Sequence, residues 1–220
     1  MAIPSTFLLD LTGDNFIDAS IQGSRWLTSG SKTINWSLSD GFFGEVWTNP
    51  SNVINNIDLA LTIFETYIDI DFVYTGYWAN PTVANNIGSD INVSLDGSGL
   101  FFNSSSIWAR GHFPGNFSDT SYTGQSGDIY LNINSAANNL PSYNPGSEGW
   151  FLLIHELGHA LGLKHTHDDG GTGGVTLSEI GLDGFDVDWF SIMSYEDNFR
   201  SDLLNYDPAS PMPLTVTFNC

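Results

Sequence analysis

No stretch of this chain constrains its fold more than HELGHALGLKH, His155 to His165, which holds three of its five histidines within eleven residues. It lies at the end of a continuous apolar run, GWFLLIHELGHALGL, with helical character. On a helix His155 and His159, four residues apart, stand on one face one turn from each other. Two neutral imidazoles so placed can bind one Zn²⁺ from the same side at about 2.0–2.1 Å. Glu156 is rotated by roughly 100° from His155, close to such a metal without having to ligate it. A catalytic zinc takes three protein ligands and keeps one position open. His165 can be the third ligand only if the chain turns sharply after His159. Gly162 is placed to allow that turn, because glycine reaches positive φ without steric cost. The run therefore predicts a helix that ends near Gly162 and a zinc site built from His155, His159 and His165, with Glu156 as general base.

The rest of the chain supplies a frame for that helix. In KTINWSLS, Ile34, Trp36 and Leu38 alternate as in a half-buried strand. Asn49-Pro50-Ser51 reads as a helix start, followed by an apolar stripe of Val53, Ile54, Ile57, Leu61, Phe64 and Ile68. IDFVYT, SDINVSL (Ile91, Val93 and Leu95 on one face), SIWARGHF and GDIYLNIN are further strand candidates between loops rich in Asn, Ser and Gly. No repeat of fixed period is present, and no charge block marks a linker. The predicted class is α+β: a twisted mixed sheet backed by two helices, followed by an irregular C-terminal lobe. One domain, 1–220, accounts for the length, with an upper lobe of about 15–163 and a lower lobe of about 164–220.

Charge and cysteine content exclude several functions. Net charge is −20, arising from scarce Lys and Arg, so the surface repels nucleic acid and anionic lipid and suits an extracellular or saline setting. Cys220, the last residue, is the only cysteine, so neither an internal disulfide nor a thiolate zinc site is possible. MAIPSTFLLDLTGD has no basic n-region and its apolar run breaks at Asp10, unlike a Sec signal; no segment is long enough to span a bilayer.

His-Glu-x-x-His-x-x-Gly-x-x-His is the metzincin pattern, whose second half is a methionine in a tight turn; SIMSY, Ser191 to Tyr195, fits it with Met193. From about Asp18 to Tyr195 the sequence resembles the catalytic domain of the serralysin-like metzincin peptidases, with IDASIQGSRW, SDINVSL and GDIYLNIN as further matching stretches. The resemblance implies a zinc-dependent endopeptidase, secreted by a bacterium and acting as a monomer on protein or peptide substrates. It implies that Met193 packs under the histidines and that Tyr195 is a movable zinc ligand that helps stabilise the tetrahedral intermediate. It also implies that an edge strand within IWARGHFPG, here Ala109, Arg110 and Gly111, pairs with substrate backbone.

The chain departs from that family at three places. Thr166 follows the third histidine where the family usually has proline, and His167 is an extra histidine nearby. The glycine-rich calcium repeats that follow the catalytic domain in many relatives are absent. HDDGGTGG is one superficial copy, which reads either as a flexible loop or as a single Ca²⁺ site using Asp168 or Asp169. After DPASPM, Leu214, Val216 and Phe218 alternate as a strand would, which suggests a truncated or frame-shifted form lacking its last helix. Two other readings fit the same residues: a non-catalytic zinc-binding or adhesion module, and a structural domain whose zinc staples the tail.

Overall fold

The computed structural model describes residues 2–5, 12–28, 30–99, 101–102, 104–115, 126–135, 143–169, 174–182, 184, 186 and 191–194. The expected strand at Leu214 to Phe218 lies outside them. In chain order the elements are β1 (Ile3–Ser5), α1 (Asn15–Asp18), β2 (Arg25–Leu27), β3 (Thr33–Ser39), α2 (Pro50–Glu65), β4 (Asp71–Trp78), α3 (Pro81–Ile87), β5 (Ile91–Asp96), β6 (Ala109–Gly111), β7 (Ile129–Asn132) and α4 (Glu148–Leu161). The class is α+β, as expected. The chain divides into two compact units, Met1–Asp10 with Gln22–Leu163, and Leu11–Ile21 with Lys164–Cys220.

The first unit is organised by a five-stranded sheet of order β4-β3-β5-β7-β6, in which β6 alone runs antiparallel to its neighbour. One row of the register runs Leu38, Val93, Ile129 and Gly111 across four strands. The first three are fully buried, and they share a core with Ile57 and Leu61 of α2 and Leu153 and Leu157 of α4. The row ends in glycine because α4 lies there. A Cβ on Gly111 would overlap the Glu156 carbonyl oxygen and meet the His159 Cβ at 3.0 Å. A small antiparallel pair, β1 with β2, completes the unit's strands among the described residues.

Helices start where short polar side chains satisfy orphan amides. Asn49 accepts from Asn52 N–H ahead of Pro50, and Asn80 accepts from Val83 N–H ahead of Pro81. Helix α3 was not expected, although its Asn-Pro start repeats that of α2 and Gly88 closes it in left-handed conformation (φ +101°). The α2 stripe holds through Phe64. Ile68 departs from it, 38% exposed beyond the end of the helix at Glu65.

The sequence places Ile91, Val93 and Leu95 on one face of β5, and the strand is buried on both faces. Asn92 there accepts from Ser37 Oγ at 2.8 Å and donates to Ser39 Oγ at 3.0 Å. A second apolar cluster, with Phe101 stacked on Tyr130 at 3.8 Å, belongs to the same unit. Buried polar groups this well paired cost little. Sequence alternation reports side-chain polarity and is silent on whether loops cover the polar side.

In the second unit α1 is capped by Asp14, which accepts from Phe16 and Ile17 N–H. Buried Asp18 accepts from Thr12 N–H and Oγ and from Gly13 N–H. Among the described residues no helix is long and apolar enough to cross a membrane.

Leu153, with no exposed surface, sits at the centre of the α4–sheet contact. Leu153→Ala is expected to lower stability by about 2–5 kcal/mol, measured by urea unfolding.

Candidate metal centre

Helix α4 begins at Ser147, whose hydroxyl accepts from Trp150 N–H at 3.1 Å. It ends in two bonds nested one inside the other: Gly162 N–H donates to His159 O and Leu163 N–H to Gly158 O, both at 2.9 Å. This is the Schellman arrangement, and it requires a left-handed residue, here Gly162 at φ +106°. A side chain at Gly162 would be strained by its φ and would also meet the Ser24 carbonyl oxygen at 2.7 Å. Gly162 O in turn accepts from Gln22 N–H, and Trp26 Nε1–H donates to Ala160 O at 2.8 Å, so the helix end is held from outside as well. The helix stops where the sequence placed its end.

His155 and His159 are 4% and 6% exposed, with ring centroids 4.8 Å apart and nearly perpendicular planes. Phe113 presents its edge or face to His159 at 5.3 Å. After the turn the chain brings His165 to them: ligand atoms of His155, His159 and His165 all lie within 4.8 Å of one another. A tetrahedral zinc with about 2.0–2.1 Å Zn–N bonds needs donors roughly 3.4 Å apart, within that bound.

Their hydrogen bonds fit the same purpose. His159 Nδ1 lies 2.8 Å from the Leu163 carbonyl, which can only accept, so the hydrogen is on Nδ1 and the Nε2 lone pair is available to a metal. His165 Nδ1 lies 3.0 Å from Asp168 Oδ2. The donor chemistry suits Zn²⁺.

Glu156 is buried and bonded by its carboxylate to the Gly111 N–H. Burial pushes its pKa up to about 8; the Gly111 hydrogen bond and the charge of Arg110 pull the other way. A divalent cation beside it would lower that value. The bond shows how β6 is used. Asn132 N–H donates to Trp108 O, His112 N–H to Asp128 O, and Gly127 N–H to His112 O. Even-numbered residues thus pair with β7, while Ala109 and Gly111 turn their backbone groups away from it, to the outer edge of the described sheet, where Gly111 N–H meets Glu156.

Met193 is buried (1% exposed) in a turn in which Ser194 N–H donates to Ser191 O and Met193 N–H to Ser191 Oγ. Tyr195 lies outside the described residues. Thr166, the departure from proline, is buried and donates its hydroxyl to Asp186 at 2.6 Å, a bond proline could not make. Asp168, a calcium candidate from its sequence, already accepts from His165.

Sequence reasoning missed Lys164. Its side chain is fully buried, and its ammonium donates to the carbonyls of Ala19 (2.7 Å), Asp168 (2.7 Å), Val175 (3.0 Å) and His165 (3.3 Å). Three hydrogens serve four acceptors, so the long bond is shared. Desolvation pushes the Lys164 pKa down, against the charges of Asp168, Asp169, Glu179 and Asp186. Nothing in GLKH marks a buried cation, because its partners are backbone carbonyls of residues spread from 19 to 175.

Comparison with known proteins agrees with the site. No protein-family model matches the chain. It is 36% identical over 182 residues to Serralysin G of Dickeya chrysanthemi, which covers 79% of this chain and 34% of that protein. Serralysin C and Serralysin A of the same organism are 38% and 39% identical over 90 residues, covering 40% of this chain and 18% and 17% of theirs. The chain thus spans about a third of the length of the first relative and under a fifth of the other two.

Lys164→Met keeps the length of the stem and removes every one of those hydrogen bonds. It is expected to lower stability by about 3 kcal/mol or more, measured by urea unfolding of the metal-free protein.

Proposed function

We propose, from the premise that this chain carries a serralysin-like metzincin protease region, that it is a zinc-dependent endopeptidase cleaving protein or peptide substrates. One observation supports this above the others: three imidazoles within 4.8 Å of one another, with a buried carboxylate one residue after the first. His155, His159 and His165 would hold the ion. When bound, Zn²⁺ supplies Lewis-acid charge that polarises the scissile carbonyl and acidifies water.

The chain's own groups do the rest. Glu156 accepts the proton of the attacking water and hands it to the leaving amine. Its dry surroundings raise its proton affinity, which suits a group that must hold a proton between two steps. Gly111 N–H fixes where that carboxylate stands. The outer edge at Ala109 offers backbone groups to an extended substrate, parallel in logic to any strand addition. Met193, buried in its turn, would support the histidines from below, and Tyr195 would add its phenol to the oxyanion. The acidic composition, together with the secreted family that the sequence resembles, favours a place outside the cell, where the chain would act as a monomer.

The rival reading, a zinc-binding or adhesion module, has no use for Glu156. Glu156→Ala is expected to keep one zinc per chain while casein cleavage falls by about 10²–10⁴-fold. Unchanged cleavage would sink the assignment. Treating the wild type with 1,10-phenanthroline should stop cleavage, and added Zn²⁺ should restore it; a protein that binds zinc but never cleaves is the module instead.

A further inference from the structure

His155 and His159 are oriented by the helix that carries them, and the Leu163 carbonyl at the helix end fixes the His159 tautomer. His165 lies past that helix and needs another device. Its Nδ1 lies 3.0 Å from Asp168 Oδ2. The His165 side chain is 16% exposed and that of Asp168 45% exposed. The ring of His167 stacks on His165 at 5.2 Å with planes 10° apart, which limits rotation of the imidazole on that face. The loop backbone is held separately, because Lys164 donates to the carbonyls of both His165 and Asp168.

We propose that Asp168 is a positioning residue of the metal centre, its carboxylate accepting the Nδ1 hydrogen of His165 and so presenting the Nε2 lone pair to a divalent cation. The inference rests on the reading of His165 as a zinc ligand. A carboxylate only accepts, so the pairing selects the Nδ1–H tautomer and aims the ring; partners of this kind are typically worth 10–100-fold in metal affinity. His165, His167 and Asp168 also form a group of three donors within 4.8 Å. A metal there bound through His165 Nδ1 would displace the Asp168 hydrogen bond, whereas the positioning role uses that bond as it stands.

The test is zinc affinity by chelator competition on the whole chain, together with ¹⁵N NMR of the zinc-free protein to read the His165 tautomer. The wild type is expected to bind one zinc tightly and to show His165 as the Nδ1–H form. Asp168→Ala is expected to bind it 10–100-fold more weakly, with His165 moving toward the Nε2–H form. Because Lys164 grips the loop through backbone carbonyls, zinc-free Asp168→Ala should melt near the wild type, which separates lost positioning from lost folding. Should Asp168→Ala unfold, Asp168→Asn, which retains an acceptor oxygen, is expected to recover part of the affinity. Equal affinity and an unchanged tautomer in the variant would overturn the proposal alone. A wild type that binds two zinc ions, one of them lost in His167→Ala, would overturn it in favour of a second metal site. A wild type that binds no zinc overturns the peptidase reading and this proposal together.

Discussion

Much of this molecule follows from a helix that must stop at a fixed residue. Had α4 continued for another turn, the third histidine would travel with the helical screw, away from the face shared by the first two. The left-handed Gly162 and the two nested amide bonds end the helix and turn the chain. Only then do three imidazoles from one eleven-residue stretch share one small volume. The neighbours of the turn are built to the same end: Gln22 and Trp26 bond to carbonyls at the helix end, and the absence of a Cβ at Gly162 admits the Ser24 carbonyl.

A second glycine performs a comparable task on the other side of the helix. The row of side chains that fills the sheet's core terminates at Gly111, and that missing side chain lets β6 lie against the backbone of α4. The close approach gives Glu156 a backbone donor, the Gly111 N–H. Burial raises the proton affinity of that carboxylate, and the amide of Gly111 works against the rise.

Around the candidate metal centre, backbone carbonyls hold several of the side chains. The Leu163 carbonyl holds His159, and four carbonyls hold the Lys164 ammonium that gathers Ala19, His165, Asp168 and Val175. A buried cation with such partners is stabilised only while the loop keeps its shape, so charge and loop conformation depend on each other.

The sequence by itself determined the three histidines, the glutamate between them, the glycine that ends the helix, five strands and both long helices. Each rests on a local rule: a side-chain period, an N-cap, a residue free to adopt positive φ. It gave less warning of α3, whose Asn-Pro start and glycine stop enclose too few residues to display a period. Tertiary structure alone decided that the polar face of β5 would be buried, that Lys164 would have no solvent, that Gly111 would touch Glu156, and that Asp168 would meet His165. The reason is physical. A residue's local conformation is written in its neighbours along the chain, but its burial and its hydrogen-bond partners depend on segments that only folding brings near.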